Sequence, residues 1–297
     1  MKLIAPLYYK NFKCIADKCP HSCCIGWRIS VDEESEEKYN SLDGCYSDEI
    51  RASICKDDEG AFFRCSASGR CTHLDENGLC KIQKNYGEEM LSEICREHPR
   101  YYNRIGDDIA VGVGASCPVA AELILSGELS LYNEAVGETV SDLENRYPIE
   151  GLLGTLCSLI EGCTRTDELW DEVIARLGVS VEATELSRYT EIYSSLEYLY
   201  KENREKILSA LNNSYPEGNI DDAKRIMAYF LFRHLPESEC VSDTCALILF
   251  SLISTKIVLS MSYELSLGDA LVAYSEEIEY STDNKDVIIE EISFNLI

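Results

Sequence analysis

Fifteen cysteines in 297 residues, eleven of them from Cys14 to Cys117, constrain this chain more than any other feature. The first ten residues contain no apolar core segment and no small-residue cleavage site, so no secretory signal is expected. The longest apolar stretch, residues 246–258, is interrupted by Ser251, Ser254 and Lys256 and reads as too short to span a bilayer. Together these readings predict a cytoplasmic protein with no membrane partner. In a reducing compartment, clustered thiols signal metal ligation or redox chemistry more often than disulfides. No C-x-x-C pair occurs, which weakens a thiol-redox reading.

Charge divides the chain where the cysteines thin out. Residues 1–120 carry 15 basic and 20 acidic side chains; residues 121–297 carry 12 and 33, giving most of the net charge of −26. Such an acidic surface repels phosphate backbones, so nucleic acid is excluded as a partner and lysine-bearing proteins are favoured. With 45% hydrophobic residues the chain can build a sizeable core. The fold class expected is mainly α, with a loop-rich cysteine- and metal-binding N-terminal region (1–120) packed on an acidic helical C-terminal region (121–297).

Helical periodicity supports the second half of that expectation. Leu169, Trp170, Val173, Ile174 and Leu177 share a face, with Thr166 as cap and Gly178 as stop. Leu196, Leu199, Tyr200, Ile207, Leu208 and Leu211 predict a helix ending before the breaker at residues 212–216. Asn219 caps a third helix through Ile226, Tyr229 and Phe230 to Pro236. Residues 243–262 are apolar on nearly every face and predict a central buried helix, and 267–279 predict another. Cys157, Cys163, Cys240 and Cys245 read as small buried apolar residues. In the first region, turn signals surround Gly44, Gly60, Gly69 and Gly78, and a short helix is expected over 87–97, before Pro99.

Cys14, Cys19, Cys23 and Cys24 form a C-x4-C-x3-C-C run, followed by Cys71, Cys80, Cys95 and Cys117. These eight are the expected metal ligands, because soft thiolates suit zinc or an iron–sulfur cluster and several must converge on one centre. Adjacent Cys23 and Cys24 do not close a relaxed disulfide and suit ligands aimed at different ions. Cys45, Cys55 and Cys65 lie in less patterned surroundings and are left out. His21, His73 and His98 read as structural. Arg28, Arg64, Arg70, Arg96, Arg100 and Arg104 neighbour the cysteines and could compensate thiolate charge. The paired C-x2-C pattern of structural zinc is absent. So is the C-x3-C-x2-C spacing of radical enzymes, since Gly26 stands at its third position.

The stretch Tyr8-Tyr9-Lys10-Asn11-Phe12-Lys13-Cys14-Ile15, then Cys23-Cys24-Ile25-Gly26-Trp27 with Asp32 beyond, carries a resemblance. So do Leu74-Asp75-Glu76-Asn77-Gly78-Leu79-Cys80, Cys95-Arg96 with Pro99-Arg100, and Ser116-Cys117-Pro118. Over these residues, and more diffusely through 247–280, the chain resembles the bacterial flagellin lysine-N-methylase family. Its Cys-Cys run and Cys-Arg-x-x-Pro also look like a broader zinc- or iron-chelating family. The resemblance implies methyl transfer from S-adenosylmethionine to the ε-amine of protein lysines, flagellin among them, with an iron–sulfur cluster, 4Fe-4S in type. The alternative is a non-catalytic zinc- or iron-binding interaction module. The glycine-rich strand-to-helix loop of ordinary methyltransferases is missing; residues 111–115, Val-Gly-Val-Gly-Ala, come nearest. Catalytic and cofactor-binding residues are not identifiable. Tyr8-Tyr9 and Tyr101-Tyr102 could flank a methylammonium, though packing is the simpler reading.

Overall fold

The computed structural model describes residues 1–128, 130–133, 138–139, 148–213 and 219–295. It separates into two compact units, Met1–Phe12 with Arg100–Ile297, and Lys13–Pro99. The division therefore falls at 12/13 and 99/100, not at residue 120. Strand pairing is the reason. Leu3–Pro6 pairs in parallel with Asp108–Val113, setting Leu3 opposite Ile109 and Ile4 opposite Ala110. Asp108–Val113 also pairs antiparallel with Arg100–Ile105 across a two-residue turn. Gly106 takes φ +58 in that turn, a conformation that costs glycine little. Both ends of the Lys13–Pro99 segment thus connect to strands of one sheet.

That sheet has five strands in the order Arg100–Ile105, Asp108–Val113, Leu3–Pro6, Leu131–Asn133 and Glu138–Thr139. No strand was expected here. Against it stands a helical layer that makes the chain mainly α. The Val241–Met261 helix is buried at every residue from Ala246 to Met261, as its uniform apolarity requires. At 21 residues it is longer than the 246–258 stretch indicated, and by length and composition it could cross a bilayer. Instead, 89% of its apolar window is buried inside the unit. Helices Lys201–Asn212, Ile220–His234, Leu267–Tyr274 and Thr282–Asn295 pack around it.

Several helix ends differ from the periodicity. The Thr166–Leu177 helix starts with Arg165 in the cap position; Thr166 is its first residue, and Glu168 takes the N–H and hydroxyl of Thr164. Gly178 ends it in the left-handed region as expected. Leu196, Leu199 and Tyr200 precede the Lys201–Asn212 helix, because Glu277 accepts the Leu199 and Tyr200 N–H groups at 2.7 and 3.0 Å. Ser214, Tyr215 and Pro216 of the expected breaker lie outside the described residues. The 267–279 helix divides into Leu267–Tyr274 and a π turn, Ser275–Glu279. Cys163 is buried, whereas Cys157 and Cys245 are half-buried and Cys240 is exposed. Cys240 has extended backbone at the entrance to the central helix, which carries it to the surface.

The Lys13–Pro99 unit is built from short pieces: helices Glu33–Ser41, Ser47–Ser53, Lys81–Tyr86 and Glu93–Glu97, and the hairpin Ile54–Asp57 with Gly60–Phe63. Gly87, at φ +93, closes the Lys81–Tyr86 helix and leads into a single 3-10 turn, Glu88–Met90, so the α-helical part of the expected 87–97 helix begins at Glu93. Ile29, Val31, Tyr39, Tyr46, Ile50, Phe63, Leu74, Ile82 and Leu91 form the core together with one thiol, Cys71.

Candidate metal centre

Three abbreviated antiparallel pairings build the cysteine site. Ile25 lies opposite Arg70, Cys65 opposite Cys71, and Leu74 opposite Cys80. The Cys71 N–H donates to the Cys24 carbonyl at 2.9 Å, and the Gly26 N–H to the Gly69 carbonyl at 3.1 Å. Gly69 combines φ +74 with an approach to the Gly26 backbone so close that a Cβ would stand 3.2 Å from the Gly26 nitrogen. A side chain there would strain the backbone and push the two segments apart by a few tenths of an ångström. The segment carrying Cys71 is therefore the middle of three, between the one with Cys24 and the one with Cys65.

Asp75 organises the next turn, its Oδ1 accepting the N–H groups of Asn77 and Leu79 at 2.9 Å each. The Lys84 ammonium, 2.6 Å from its other oxygen, and those N–H groups hold its carboxyl down at about 2. This turn delivers Cys80 to the start of the Lys81–Tyr86 helix. Cys95 arrives on Glu93–Glu97, which is tied to the first helix by Asp32. One oxygen of Asp32 accepts the Ser35 N–H at 2.9 Å and the other the Glu93 N–H at 2.8 Å.

Cys24, Cys71, Cys80 and Cys95 thereby line one cavity of about 20 Å³ with Ile29, Phe63, His73, Leu74, Ile82, Leu91 and Ser92. Burial pushes the Cys71 and Cys95 thiols up to about 12, and the neighbouring thiols add to the effect. Burial raises Cys80 too, against the opposing N–H groups of Gln83 and Ile82. Cys24 is raised by its hydrogen bond with Cys23 and by burial, while Ser22 and the Arg70 guanidinium oppose the rise. Burial in apolar surroundings thus holds the four thiols in the neutral form. Among the described residues, no three His, Cys, Asp or Glu side chains stand in a group that could hold a metal ion. By chemistry the four thiols are soft donors.

The other expected ligands are not among the residues lining this cavity. Cys14 and Cys23 are exposed and Cys19 half-buried; Cys14 Sγ accepts the Ala16 N–H, and Cys19 Sγ donates to the His21 carbonyl. Cys117 belongs to the other unit, preceding the Pro118–Ser126 helix. His73 is held through both ring nitrogens, Nδ1 2.5 Å from the Tyr46 hydroxyl and Nε2 2.6 Å from the Ser53 hydroxyl. Burial brings its pKa down to about 4, so it is a neutral structural group. Of the arginines, Arg28 pairs with Asp57 and stacks on Phe62, and Arg64 donates to the Ala52 carbonyl. Arg96 pairs with Glu97, and Arg100 and Arg104 lie in a strand of the other unit. The Arg70 charge is felt by one cavity thiol, Cys24. The positioning role of Asp32 was missed, and its Asp-x-x-Ser cap pattern was the available signal. Cys65, left out of the expected set, does not line the cavity.

The Val-Gly-Val-Gly-Ala segment is not a loop. It forms the end of strand Asp108–Val113 and its exit, where Gly112 makes room for Tyr101 and Gly114 for Tyr280 and Arg233. The Arg233 guanidinium lies over the rings of Tyr101 and Tyr280 at 5.0 and 4.8 Å. Tyr101 is thus packed against a protein cation, whose charge also reaches Tyr8.

Compared with known proteins, the chain is 23% identical over 251 positions to the lysine-N-methylase of Salmonella choleraesuis, spanning 78% of this chain and 61% of the relative. The lysine-N-methylase of Salmonella typhimurium gives the same values. The flagellar biosynthetic protein FliU of Salmonella muenchen is 28% identical over 131 positions, or 41% of this chain and 75% of that protein. No family model and no solved structure matches. The chain spans about three-fifths of the length of the lysine-N-methylases it matches, and over most of its own length it is distantly similar to them.

Proposed function

We propose that this chain is a protein lysine N-methyltransferase that uses S-adenosylmethionine, acts on a lysine-bearing protein such as flagellin, and holds an iron–sulfur cluster through Cys24, Cys71, Cys80 and Cys95. The observation that carries the metal-binding part is the convergence of four thiols from four separate segments on one cavity. Distant likeness to two lysine-N-methylases supports the methyl-transfer part. In that reaction the neutral lysine Nζ attacks the sulfonium methyl carbon, the carbon–sulfur bond breaks, and the amine releases a proton. A bound cluster would supply four metal–thiolate bonds and a redox-active centre. The net charge of −26 favours encounter with a cationic acceptor protein.

One observation favours a second reading, a zinc-stapled interaction module. A cavity of about 20 Å³ is nearer the size of one ion than of a four-iron cluster. Anaerobic purification followed by metal analysis and absorption spectroscopy separates the two. Iron with sulfide and a broad visible shoulder supports the first; stoichiometric zinc in a colourless protein supports the second. Methyl incorporation from labelled S-adenosylmethionine into flagellin tests the activity itself. Replacing Cys24, Cys71, Cys80 or Cys95 by Ser is expected to lower metal content, whereas Cys14→Ser and Cys157→Ser leave it unchanged. Equal content in all six variants would remove this ligand assignment.

A further inference from the structure

Cys65 lies outside the four-thiol set and directly faces one of its members. Across the short pairing of Cys65 with Cys71, the Ser66 N–H donates to the Arg70 carbonyl at 2.8 Å and the Thr72 N–H to the Arg64 carbonyl at 3.2 Å. Both bonds flank the cysteine pair, and neither joins Cys65 to Cys71. This is the non-hydrogen-bonded site of an antiparallel ladder, where opposed Cα atoms approach to about 4.5 Å and the side chains project from one face. A relaxed disulfide needs Cα atoms about 4.4–6.8 Å apart, so this site meets its geometry without moving the backbone. The other neighbour of Cys71 is different, because Cys71 and Cys24 are joined by a backbone hydrogen bond, the more widely spaced arrangement. Cys65 is partly exposed and Cys71 only 6% exposed, so a soluble oxidant reaches Cys65 first.

We propose that Cys65 and Cys71 form a disulfide-modification site which, on oxidation, withdraws Cys71 from the metal-binding thiols. The oxidant is a small disulfide of the glutathione class. The Cys65 sulfur, having given up its proton, attacks one sulfur of oxidised glutathione, breaks its S–S bond and expels one glutathione thiolate. The Cys71 sulfur, likewise deprotonated, then attacks the sulfur of Cys65 and expels the second. Two electrons pass from the pair to the glutathione disulfide, and two glutathione thiols are produced. The pairing itself rests on backbone register alone. Its consequence for metal rests on the assignment of Cys71 as a ligand.

The test uses the full chain stripped of metal under reducing conditions, exposed to oxidised glutathione, alkylated and digested with trypsin. Cleavage after Arg64 and Arg70 puts Cys65 in the peptide 65–70 and Cys71 in 71–81, so their bond appears as a linked pair, with fragmentation separating Cys71 from Cys80. The linked pair at Cys71 is expected in the wild-type chain, forming more slowly when zinc is bound before oxidation. Cys65→Ser is expected to retain metal under glutathione disulfide that strips the wild type. Oxidation that joins other cysteines but leaves Cys65 and Cys71 unlinked overturns the proposal, as does metal loss from Cys65→Ser at the wild-type rate. A chain that binds no metal before oxidation refutes the metal centre alone, and the linked peptide still decides the pairing.

Discussion

Asp32 shows how much one carboxylate can organise. It caps the Glu33–Ser41 helix through Ser35 and fixes the N–H of Glu93, the first residue of the short helix that carries Cys95. Burial alone would raise its pKa; the N–H bonds from Glu93 and Ser35 override that and hold it below the usual carboxylate range. Asp32→Ala removes a cap worth about 1 kcal/mol and frees the Cys95 helix. A lower melting temperature and faster transfer of bound metal to a chelator are expected; an unchanged transfer rate would sever Asp32 from the site. In the other unit Glu279 does comparable work, accepting from Tyr229 at 2.9 Å, with Arg233 Nε at 3.1 Å and His234 Nε2 at 2.7 Å. Burial opposes its ionisation, but Arg233 and His234 prevail and keep its pKa depressed. Its contribution is therefore in place above the ordinary carboxylate range and is lost as pH falls through the depressed value. Glu279→Gln leaves Arg233, 8% exposed, with no counter-charge. The loss expected is about 3–5 kcal/mol, read as a melting point lower by on the order of 10 °C at neutral pH. The gap to wild type narrows in acid.

At the scale of elements, what could be read in the sequence was whatever a single segment decides for itself. Leu169, Trp170, Val173 and Ile174 are buried as their spacing requires; Asn219 accepts the Asp221 N–H at its helix start, and the uniformly apolar Val241–Met261 helix is the core. Helix starts fixed from a distance were illegible, as Glu277 shows by binding Leu199 and Tyr200 from more than seventy residues away. The strands were illegible for another reason. Ala110, Val111 and Val113 are buried on consecutive faces, so no alternation marks them. The cysteine cluster divided in the same way, since the density of thiols was visible in the sequence while which of them share a cavity depends on how the short segments of Lys13–Pro99 pair and pack. Lys256 is the one charge in the central helix interior, donating to the carbonyl and hydroxyl of Thr184 at 3.2 Å. Burial brings its pKa down to about 8, against the opposing pull of Asp171 and Glu185. Between pH 8 and the ordinary lysine value the unfolded chain holds a proton that the folded chain has released. The contribution of Lys256 to stability therefore rises with pH across that window and is flat beyond it. Lys256→Met abolishes the rise, so denaturant unfolding from pH 8 to 10.5 should show wild type gaining on the variant by on the order of 3 kcal/mol. A constant difference would mean that Lys256 titrates normally.

For the molecule as a whole, the two units call for different sources of stability. Met1–Phe12 with Arg100–Ile297 is built on a helix of 21 residues wrapped by four others, and it needs no staple. Lys13–Pro99 has helices of five to nine residues around ten buried core side chains, one of them Cys71. Helices so short do not persist without tertiary support, and a core this small leaves little margin. If metal–thiolate bonds tie the Cys24, Cys71, Cys80 and Cys95 segments together, metal binding is folding energy for that unit and not for the other. Limited trypsin digestion of the full chain, before and after removing metal with a chelator under reducing conditions, reads this directly. Cleavage after Lys56, Arg64, Arg70 and Lys84 should accelerate once the metal is gone, because these sites become accessible when the four segments part. Cleavage after Lys206, Lys224 and Arg225, within helices Lys201–Asn212 and Ile220–His234, should keep its original rate. Equal acceleration at both sets of sites would mean that the two units unfold together. No acceleration at either would mean that the thiols of Lys13–Pro99 support its fold by packing alone.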